Sequence, residues 1–338
     1  MSQSSNALKL VYGEVEGEDL VFISFSKMQD WSYCQRKAYY RYHRGLQKKT
    51  RPKPLERGAL AHDAFEAMYR GEDWKAVLLK YKREVYDKML REEQDYYGNL
   101  PQEIYNVIKR YLLHYGNEPL YVEKYKGKPM VEVEFVVRIP NTNVVLKGRI
   151  DLVIRDSYGL WVMDHKFSDS EPSLNYQMVD AQVTLYYWVL SLFPEFKDLQ
   201  GIIFNGVRTK VPSKPELTQK KELSQKNIDT DEYTVVRELK KLGLDPADHF
   251  DYIQKVTRGR VWFHRQPLRR PEAMVNNALR EVQRAARQMA SSIKAPIRNM
   301  SKICEKNCEF YDLCWAELQG LDTKTLLRLN YEQKEERH

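Results

Sequence analysis

Two aspartates and a lysine lie at the ends of predicted strands, where they could hold a metal ion. Asp151 closes an alternating apolar segment that ends in GRID, and Asp164 and Lys166 follow the apolar segment LWVM. Because side chains alternate faces along a strand, Asp164 and Lys166 point the same way and His165 points oppositely. A neighbouring antiparallel strand would bring Asp151 beside them. Two facing carboxylates are stable mainly when a cation lies between them.

These residue types suit the hydrolysis of a phosphate ester. Carboxylate oxygens are hard ligands that favour Mg²⁺ or Mn²⁺, and such an ion can hold a scissile phosphate and lower the pKa of a bound water. Lys166 would orient the attacking water or stabilise charge on the phosphorus. The alternative is a surface ion pair, which an Asp-x-Lys on a strand forms more commonly. The upstream position of Asp151, at a spacing that fits an adjacent strand, favours the catalytic interpretation.

The N-terminal third is predicted to be helical. Ser26 is a candidate N-cap for a helix over 26–44, and apolar residues recur on one face around His62 until a glycine stop at Gly71. Two further helices are predicted over 74–94 and 101–115, with Gly98-Asn99 as a turn between them.

After residue 130 the spacing of apolar residues changes from a helical period to the two-residue period of strands. VEVEFVVRI, VVLKGRIDLVI and LWVMDHKF read as three strands joined by short turns, which predicts an antiparallel meander. A helix over 173–192 and a strand at IIFNGVR complete a β-β-β-α-β order. The polar, lysine-rich segment 209–234 predicts a loop, and 272–293 predicts an amphipathic helix.

We therefore predict one compact unit with four parts. They are a helical N-terminal region with the first cysteine and the histidine (1–129), the core (130–210), a polar basic loop region (211–271), and a C-terminal helix with a cysteine-rich segment (272–338).

The motifs of this sequence resemble those of the PD-(D/E)XK nuclease superfamily. They are most similar to its RecB-type branch, which includes iron–sulfur CRISPR-associated and helicase-linked nucleases. The resemblance covers most of the chain, and its motifs occur in the family's order: RGALAHDAFE, VEVEFVV followed by LKGRID, MDHKF, and DAQVTLYYW. It implies an α/β fold with a restriction-endonuclease-like core, a mixed sheet of β-β-β-α-β order.

The resemblance also implies roles for individual residues. His62, Asp151 and Asp164 would ligate the metal, with the main-chain carbonyl of His165 completing the shell, and Lys166 would be catalytic. Gln182 and Tyr186 would line the site and contact the substrate strand. Glu134 is a further candidate ligand, although Glu132 could match the same motif instead.

The four cysteines are expected to form a second metal site. Cys34 lies near the N-terminus, and Cys304, Cys308 and Cys314 lie together near the C-terminus. Four thiolates suit a [4Fe–4S] cluster or tetrahedral Zn²⁺. The split resembles the iron–sulfur RecB-type nucleases, although their central spacing is usually x2 rather than x3. Buried free thiols are the third interpretation. Either metal would tie the N-terminal helix to the C-terminal segment.

Charge and basic clusters agree with a nucleic-acid partner. Lys plus Arg number 55 against 47 Asp plus Glu, a net charge of +8. Candidate strand contacts lie at 48–57, 210–226, Arg258–Arg260 and Arg269-Arg270, with Trp262 as a candidate stacking platform. The sequence shows neither a signal peptide nor a membrane span, so we expect a soluble, cytoplasmic protein.

The resemblance implies a DNA exonuclease that acts on single-stranded or frayed ends. Two alternatives stay open: an endonuclease or flap nuclease, and a non-catalytic DNA-end-binding subunit of a recombination complex. Because the sequence has no Walker-type phosphate loop, unwinding would need a helicase or recombination protein as a partner.

Overall fold

The computed structural model describes residues 8–116, 120–170, 174–292 and 296–333. Its strands are β1 (Lys9–Tyr12), β2 (Val21–Ser24), β3 (Leu46–Lys48), β4 (Tyr121–Val122), β5 (Lys124–Tyr125), β6 (Lys128–Pro129), β7 (Val131–Arg138), β8 (Val144–Asp156), β9 (Gly159–Ser168), β10 (Leu199–Arg208), β11 (Phe263–Leu268) and β12 (Tyr331–Gln333). Its α-helices are α1 (Phe25–Tyr33), α2 (Gln35–Ala38), α3 (Lys53–Arg70), α4 (Trp74–Glu84), α5 (Arg91–Tyr97), α6 (Leu100–Tyr115), α7 (Leu174–Val179), α8 (Ala181–Ser191), α9 (Glu232–Lys241), α10 (Phe250–Thr257), α11 (Glu272–Ser292), α12 (Cys304–Asn307), α13 (Tyr311–Leu318) and α14 (Lys324–Asn330).

A mixed eight-stranded sheet forms the centre of the fold. Its path is β1-β7-β8-β9-β10-β11, and β2 and β4 both pair with β8. The predicted meander is confirmed, because β7, β8 and β9 pair antiparallel in chain order. The connection through α8 returns the chain to β10, which is parallel to β9. The expected α/β class with a restriction-endonuclease-like β-β-β-α-β core is therefore confirmed.

Two of the meander strands separate partway along their length. The pairing of β8 with β9 runs from Asp156 and Gly159 to Leu152 and Met163. N-terminal to Leu152, β8 remains paired with β7 as far as Val145, and residues 144–147 of β8 also pair with β2. Beyond Met163, β9 continues beside β10. We call the opening between residues 148–151 of β8 and 164–167 of β9 the strand fork.

Helices cover both faces of the sheet around this fork. The largest apolar cluster joins one face to α8 and α11, through residues such as Val162, Val183 and Val282. A second cluster joins α3, α4 and α6 to β10 and β11 on the other face. α3 ends where predicted, at Gly71, whose φ of 77° is a left-handed conformation that glycine adopts without a steric penalty.

Several predicted helices are interrupted. The helix expected over 26–44 breaks at Cys34, which is extended, and its N-cap is Ser24, whose Oγ accepts the Lys27 N–H at 3.2 Å, rather than Ser26. The helix expected over 74–94 is divided into α4 and α5. The helix expected over 173–192 is divided at Asp180, the N-cap of α8, and residue 173 lies outside the described residues.

The segment 211–271 is more structured than a polar loop. The chain is irregular over most of 209–231, as predicted. It then forms α9 and α10, which share a small apolar core that includes Val235, Leu239 and Ile253. β11 joins the edge of the sheet beside β10. Near the C-terminus, β12 pairs with β3. Within the described ranges, no helix combines the length and apolar character that a bilayer span requires.

Candidate active site

α3 brings His62 to the edge of the strand fork. The Nδ1 atom of His62 lies 3.7 Å from Glu132 Oε1 and 3.8 Å from Asp151 Oδ2. The imidazole packs edge-on against the ring of Phe167, with centroids 4.9 Å apart. Because α3 packs on β9 and β7, this helix fixes the imidazole over both strands.

Asp151 and Asp164 each lie one residue past the last pair that joins β8 to β9. Both carboxylates are therefore at the apex of the fork. Oδ2 of Asp151 accepts the main-chain N–H of His165 at 2.8 Å, so a side chain links the two strands where the backbone pairing has stopped. Asp164 is nearly inaccessible, with 3% of its side chain exposed, compared with 14% for Asp151.

His62, Glu132 and Asp151 form a group that could hold a divalent ion. Their candidate ligand atoms all lie within 4.8 Å of one another. Two carboxylates and an imidazole are ligands that Mn²⁺ accepts, and carboxylates are the ligands that Mg²⁺ prefers. The residues present at the fork therefore fit the metal that the motifs imply.

Glu132, rather than Glu134, lies at this group. Glu134 is 37% exposed on its side chain and pairs with Arg149 at 3.2 Å. Regular alternation would put the two glutamates on one face, but Glu132 has a φ of 50°, unusual for a residue other than glycine. On either side of Glu132, Val131 packs with Leu152 and Val133 packs in the largest cluster. Sequence periodicity does not indicate this left-handed conformation of Glu132, which separates the two glutamates. Strained backbone conformations of this kind are common at functional sites.

Carboxylates at the fork raise one another's proton affinity. Burial raises the pKa of Asp151 to about 7, and the charges of Asp164 and Glu132 add to the effect, although His62 opposes it. Burial by itself lowers the pKa of His62, but Asp151 and Glu132 outweigh it and raise that pKa to about 9. The cluster thus holds protons in the places where a cation would bind.

Lys166 is held by residues from the strand and from α8. Its Nζ lies 2.8 Å from Asp164 Oδ2 and donates to Gln182 Oε1 at 3.3 Å. Gln182 Nε2 donates in turn to the Tyr186 hydroxyl at 2.7 Å. Burial lowers the pKa of Lys166, but Asp164 outweighs that effect and the pKa is raised, so the side chain is an ammonium group. Asp180 Oδ1 accepts the Gln182 N–H at 2.8 Å and fixes the start of α8.

The side chain of His165 points away from the carboxylates into a buried polar network. Its Nδ1 lies 2.7 Å from Asn205 Nδ2, which also donates to the Tyr111 hydroxyl at 3.0 Å. Arg265 donates to the same hydroxyl at 2.8 Å. Burial lowers the pKa of His165 well below its usual value, which keeps the ring neutral. Sequence reasoning missed Asn205, Tyr111 and Arg265, because they come from three distant elements.

All four cysteines line one cavity of about 270 Å³, together with cationic side chains such as Arg36, Lys37 and Arg298. The thiols are free. Tetrahedral zinc would hold its four sulfurs about 3.8 Å apart, given zinc–sulfur bonds of about 2.3 Å. Among the described residues, which include all four cysteines, no three thiol sulfurs lie within 4.8 Å of one another. The cavity brings the four thiols together, and its cationic side chains suit an anionic group.

Two basic or aromatic candidates are buried instead of lining a strand channel. Arg270 is 6% exposed and donates to the main-chain oxygen of Gln177 at 2.9 Å. Trp262 is 5% exposed and its ring packs against the guanidinium groups of Arg110 and Arg208, so it is not a stacking platform. The prediction for these two residues is wrong, because both pack into the interior.

Comparison with known families agrees with the geometry. A family model described as the PD-(D/E)XK nuclease superfamily matches residues 23–315, well over half of the chain. No curated protein is significantly similar to the sequence.

Proposed function

The chain belongs to the PD-(D/E)XK nuclease superfamily, and we propose that it is a DNA exonuclease of the RecB-type branch acting on single-stranded or frayed ends. Membership implies a metal-dependent nuclease that binds DNA and hydrolyses phosphodiester bonds. The observation that carries the proposal is the convergence of His62, Asp151, Asp164 and Lys166 at one strand fork.

We assign the metal ligands to His62, Asp151 and Asp164, with the His165 carbonyl, and add Glu132 in place of Glu134. Bound there, Mg²⁺ or Mn²⁺ would supply Lewis-acid chemistry and a water of lowered pKa. The ammonium group of Lys166 donates to the attacking water or to a phosphoryl oxygen as charge develops. Gln182 and Tyr186 hold that ammonium group in place and contact the strand.

We propose that the cysteine cavity holds a [4Fe–4S] cluster. The convergence of all four thiols on one cavity and the cationic lining of that cavity support a thiolate-bound, anionic cluster. Its task is to tie α1, through Cys34, to the C-terminal segment. The purified protein should be brown with broad absorbance near roughly 400 nm. A colourless protein with one zinc per chain would reverse this assignment.

An end-labelling assay tests the nuclease proposal. Linear single-stranded, blunt duplex and circular single-stranded DNA are incubated with Mg²⁺, Mn²⁺ or EDTA. We expect metal-dependent shortening of linear single strands and survival of the circle. Cleavage of the circle would favour the endonuclease alternative, and tight end binding without cleavage would favour the scaffold alternative.

Matched variants test the site. Asp164→Ala should abolish cleavage, Lys166→Ala should lower it about 10²- to 10³-fold, and Glu132→Gln should reduce it strongly. Glu134→Gln, two residues away on the same strand, should reduce the rate far less than Glu132→Gln, because Glu134 is a partly exposed partner of Arg149 and not an assigned ligand. The catalytic assignment is wrong if Asp164→Ala and Lys166→Ala cut as fast as the parent.

A further inference from the structure

A second cavity opens at the wide end of the strand fork. It has a volume of about 220 Å³ and lies between the first turn of α1, the middle of β8, and α8. Gln182 and Tyr186 form part of its wall. Since Gln182 also accepts a hydrogen bond from Lys166, one side chain separates the cavity from the candidate catalytic ammonium group.

One wall of this cavity is apolar and aromatic. The ring of Phe135 lies against Gly148, where an ideal Cβ would be 2.4 Å from Phe135 Cζ. A glycine at this position therefore lets the ring lie flat on the strand. The ring also makes an edge-to-face contact with Tyr186, with centroids 5.8 Å apart. Phe135 and Tyr186 are both buried, so they give the cavity an apolar floor rather than a free stacking face, and such a floor suits contact with a deoxyribose or a base edge.

The opposite wall is cationic. Lys147 and Arg149 both line the cavity and are exposed. The Lys147 ammonium lies over the ring of Phe22, 4.3 Å from its centroid, and Arg149 pairs with Glu134 at 3.2 Å and with Glu132 at 3.5 Å. The exposed Ser26 completes this wall from the first turn of α1. Two cations and a hydroxyl group beside the apolar floor give the cavity a mixed lining that matches the polarity of a nucleoside phosphate.

From this arrangement we infer that the cavity binds one nucleotide of the DNA strand, the one that adjoins the scissile phosphate. The inference rests on the proposed function, because it assigns the neighbouring subsite of the same active site. The cavity volume of about 220 Å³ is smaller than the roughly 300 Å³ at which pockets for drug-sized molecules start, so the cavity suits a small ligand. One nucleoside with its phosphate at the mouth fits, and a stacked dinucleotide does not.

Titration with thymidine monophosphate tests the inference without cleavage. The 5′- and 3′-monophosphates and unphosphorylated thymidine are titrated calorimetrically into the full-length protein in EDTA. We expect at least one monophosphate to bind more tightly than thymidine. Lys147→Gln should weaken that binding about tenfold, as expected for the loss of one charge-assisted contact. Ser26→Phe should abolish binding by filling the cavity.

Lys80→Gln is the matched control, because Lys80 is an exposed lysine on α4 and does not line the cavity. Its affinity for the monophosphate should equal that of the parent. The inference fails if neither monophosphate binds better than thymidine, or if Lys147→Gln and Ser26→Phe bind as the parent does. Since the titration needs neither metal nor hydrolysis, a protein that binds in this way but never cuts DNA refutes only the proposed nuclease activity.

Discussion

Replacing Asp151 with asparagine should stabilise the metal-free protein while it destroys the metal site. Asp151 lies with Glu132 and Asp164 in a fork whose geometry is set by strand pairing, and burial raises its pKa from 3.8 to about 7. An acid whose pKa is raised by folding makes the ionised folded state less stable. The penalty appears as the pH rises above about 4 and is complete above about 7.

The size of the effect follows from that pKa. A change from 3.8 to about 7 corresponds to about 4 kcal/mol of lost stability at pH 8, at about 1.4 kcal/mol for each tenfold change in proton affinity. The amide oxygen of the Asp151→Asn variant can still accept the His165 N–H, now bonded at 2.8 Å. Its NH₂ group must take the place of the second carboxylate oxygen, and an imperfect hydrogen bond there costs about 1–3 kcal/mol. We therefore expect a net gain of about 2 kcal/mol in the free energy of unfolding.

Urea denaturation followed by circular dichroism measures the free energy of unfolding of both proteins at pH 8. One series contains EDTA, and the other contains Mn²⁺ at about 100 times its dissociation constant. There, Mn²⁺ should stabilise the parent by about 2.7 kcal/mol and leave the variant almost unchanged. Repeated at pH 5, the difference in EDTA should shrink, because the parent carboxyl is then protonated. Glu134→Gln should match the parent throughout. A variant less stable than the parent in EDTA, or equally stabilised by Mn²⁺, would refute the reasoning.

Four further predictions follow from single contacts. Lys166→Met should lower single-turnover cleavage about 10²- to 10³-fold, as for the loss of one transition-state donor, and leave Mn²⁺ affinity nearly unchanged; equal losses in both would make Lys166 a structural residue. Gly148→Ala should cost about 1–3 kcal/mol in urea denaturation, because its Cβ would lie 2.4 Å from the Phe135 ring. Gly58→Ala on α3, with open space around it, should instead gain up to about 1 kcal/mol. Cys308→Ser should bleach the expected absorbance near roughly 400 nm and lower the thermal midpoint; unchanged colour would exclude Cys308 as a ligand. Hydrogen bonds from Arg208 and Lys210 lower the pKa of Asp229 to about 2, so Asp229→Asn should cost about 1 kcal/mol at pH 7 after solvent screening, a loss that fades as pH falls from about 4 to 2.

Hydrophobic periodicity was sufficient to predict the core of this fold. VEVEFVVRI alternates because one face of β7 is only half-buried, and LWVM is continuously apolar because that part of β9 is buried on both faces. Both patterns indicate strands, so the meander and the order of the motifs could be predicted from the sequence. The breaks in the helices could not be predicted in the same way. Cys34 is extended and Asp180 caps α8, although the apolar pattern continues past both residues.

The choice between Glu132 and Glu134 shows why the site was harder to predict than the fold. Two-residue periodicity assumes a regular strand, and in such a strand the two glutamates are equivalent. A single left-handed residue removes the equivalence, and its conformation depends on how Val131 and Val133 pack in separate clusters. That packing involves residues from other strands and helices, so the local sequence does not encode it.

The separation of β8 and β9 at the strand fork explains both the carboxylate cluster and the neighbouring cavity. Beyond Met163, β9 stays paired with β10 while β8 stays paired with β7, so the two strands separate and Asp151 and Asp164 leave the ladder together at its last pair. An unpaired strand edge inside a protein is unfavourable, and here the Asp151 carboxylate compensates by accepting the His165 N–H. This compensation in turn holds a charged oxygen among other carboxylates, an arrangement that a bound cation relieves. The same separation of strands that creates the ligand cluster also opens the cavity at Gly148, so the metal centre and the inferred nucleotide site are two ends of one structural feature.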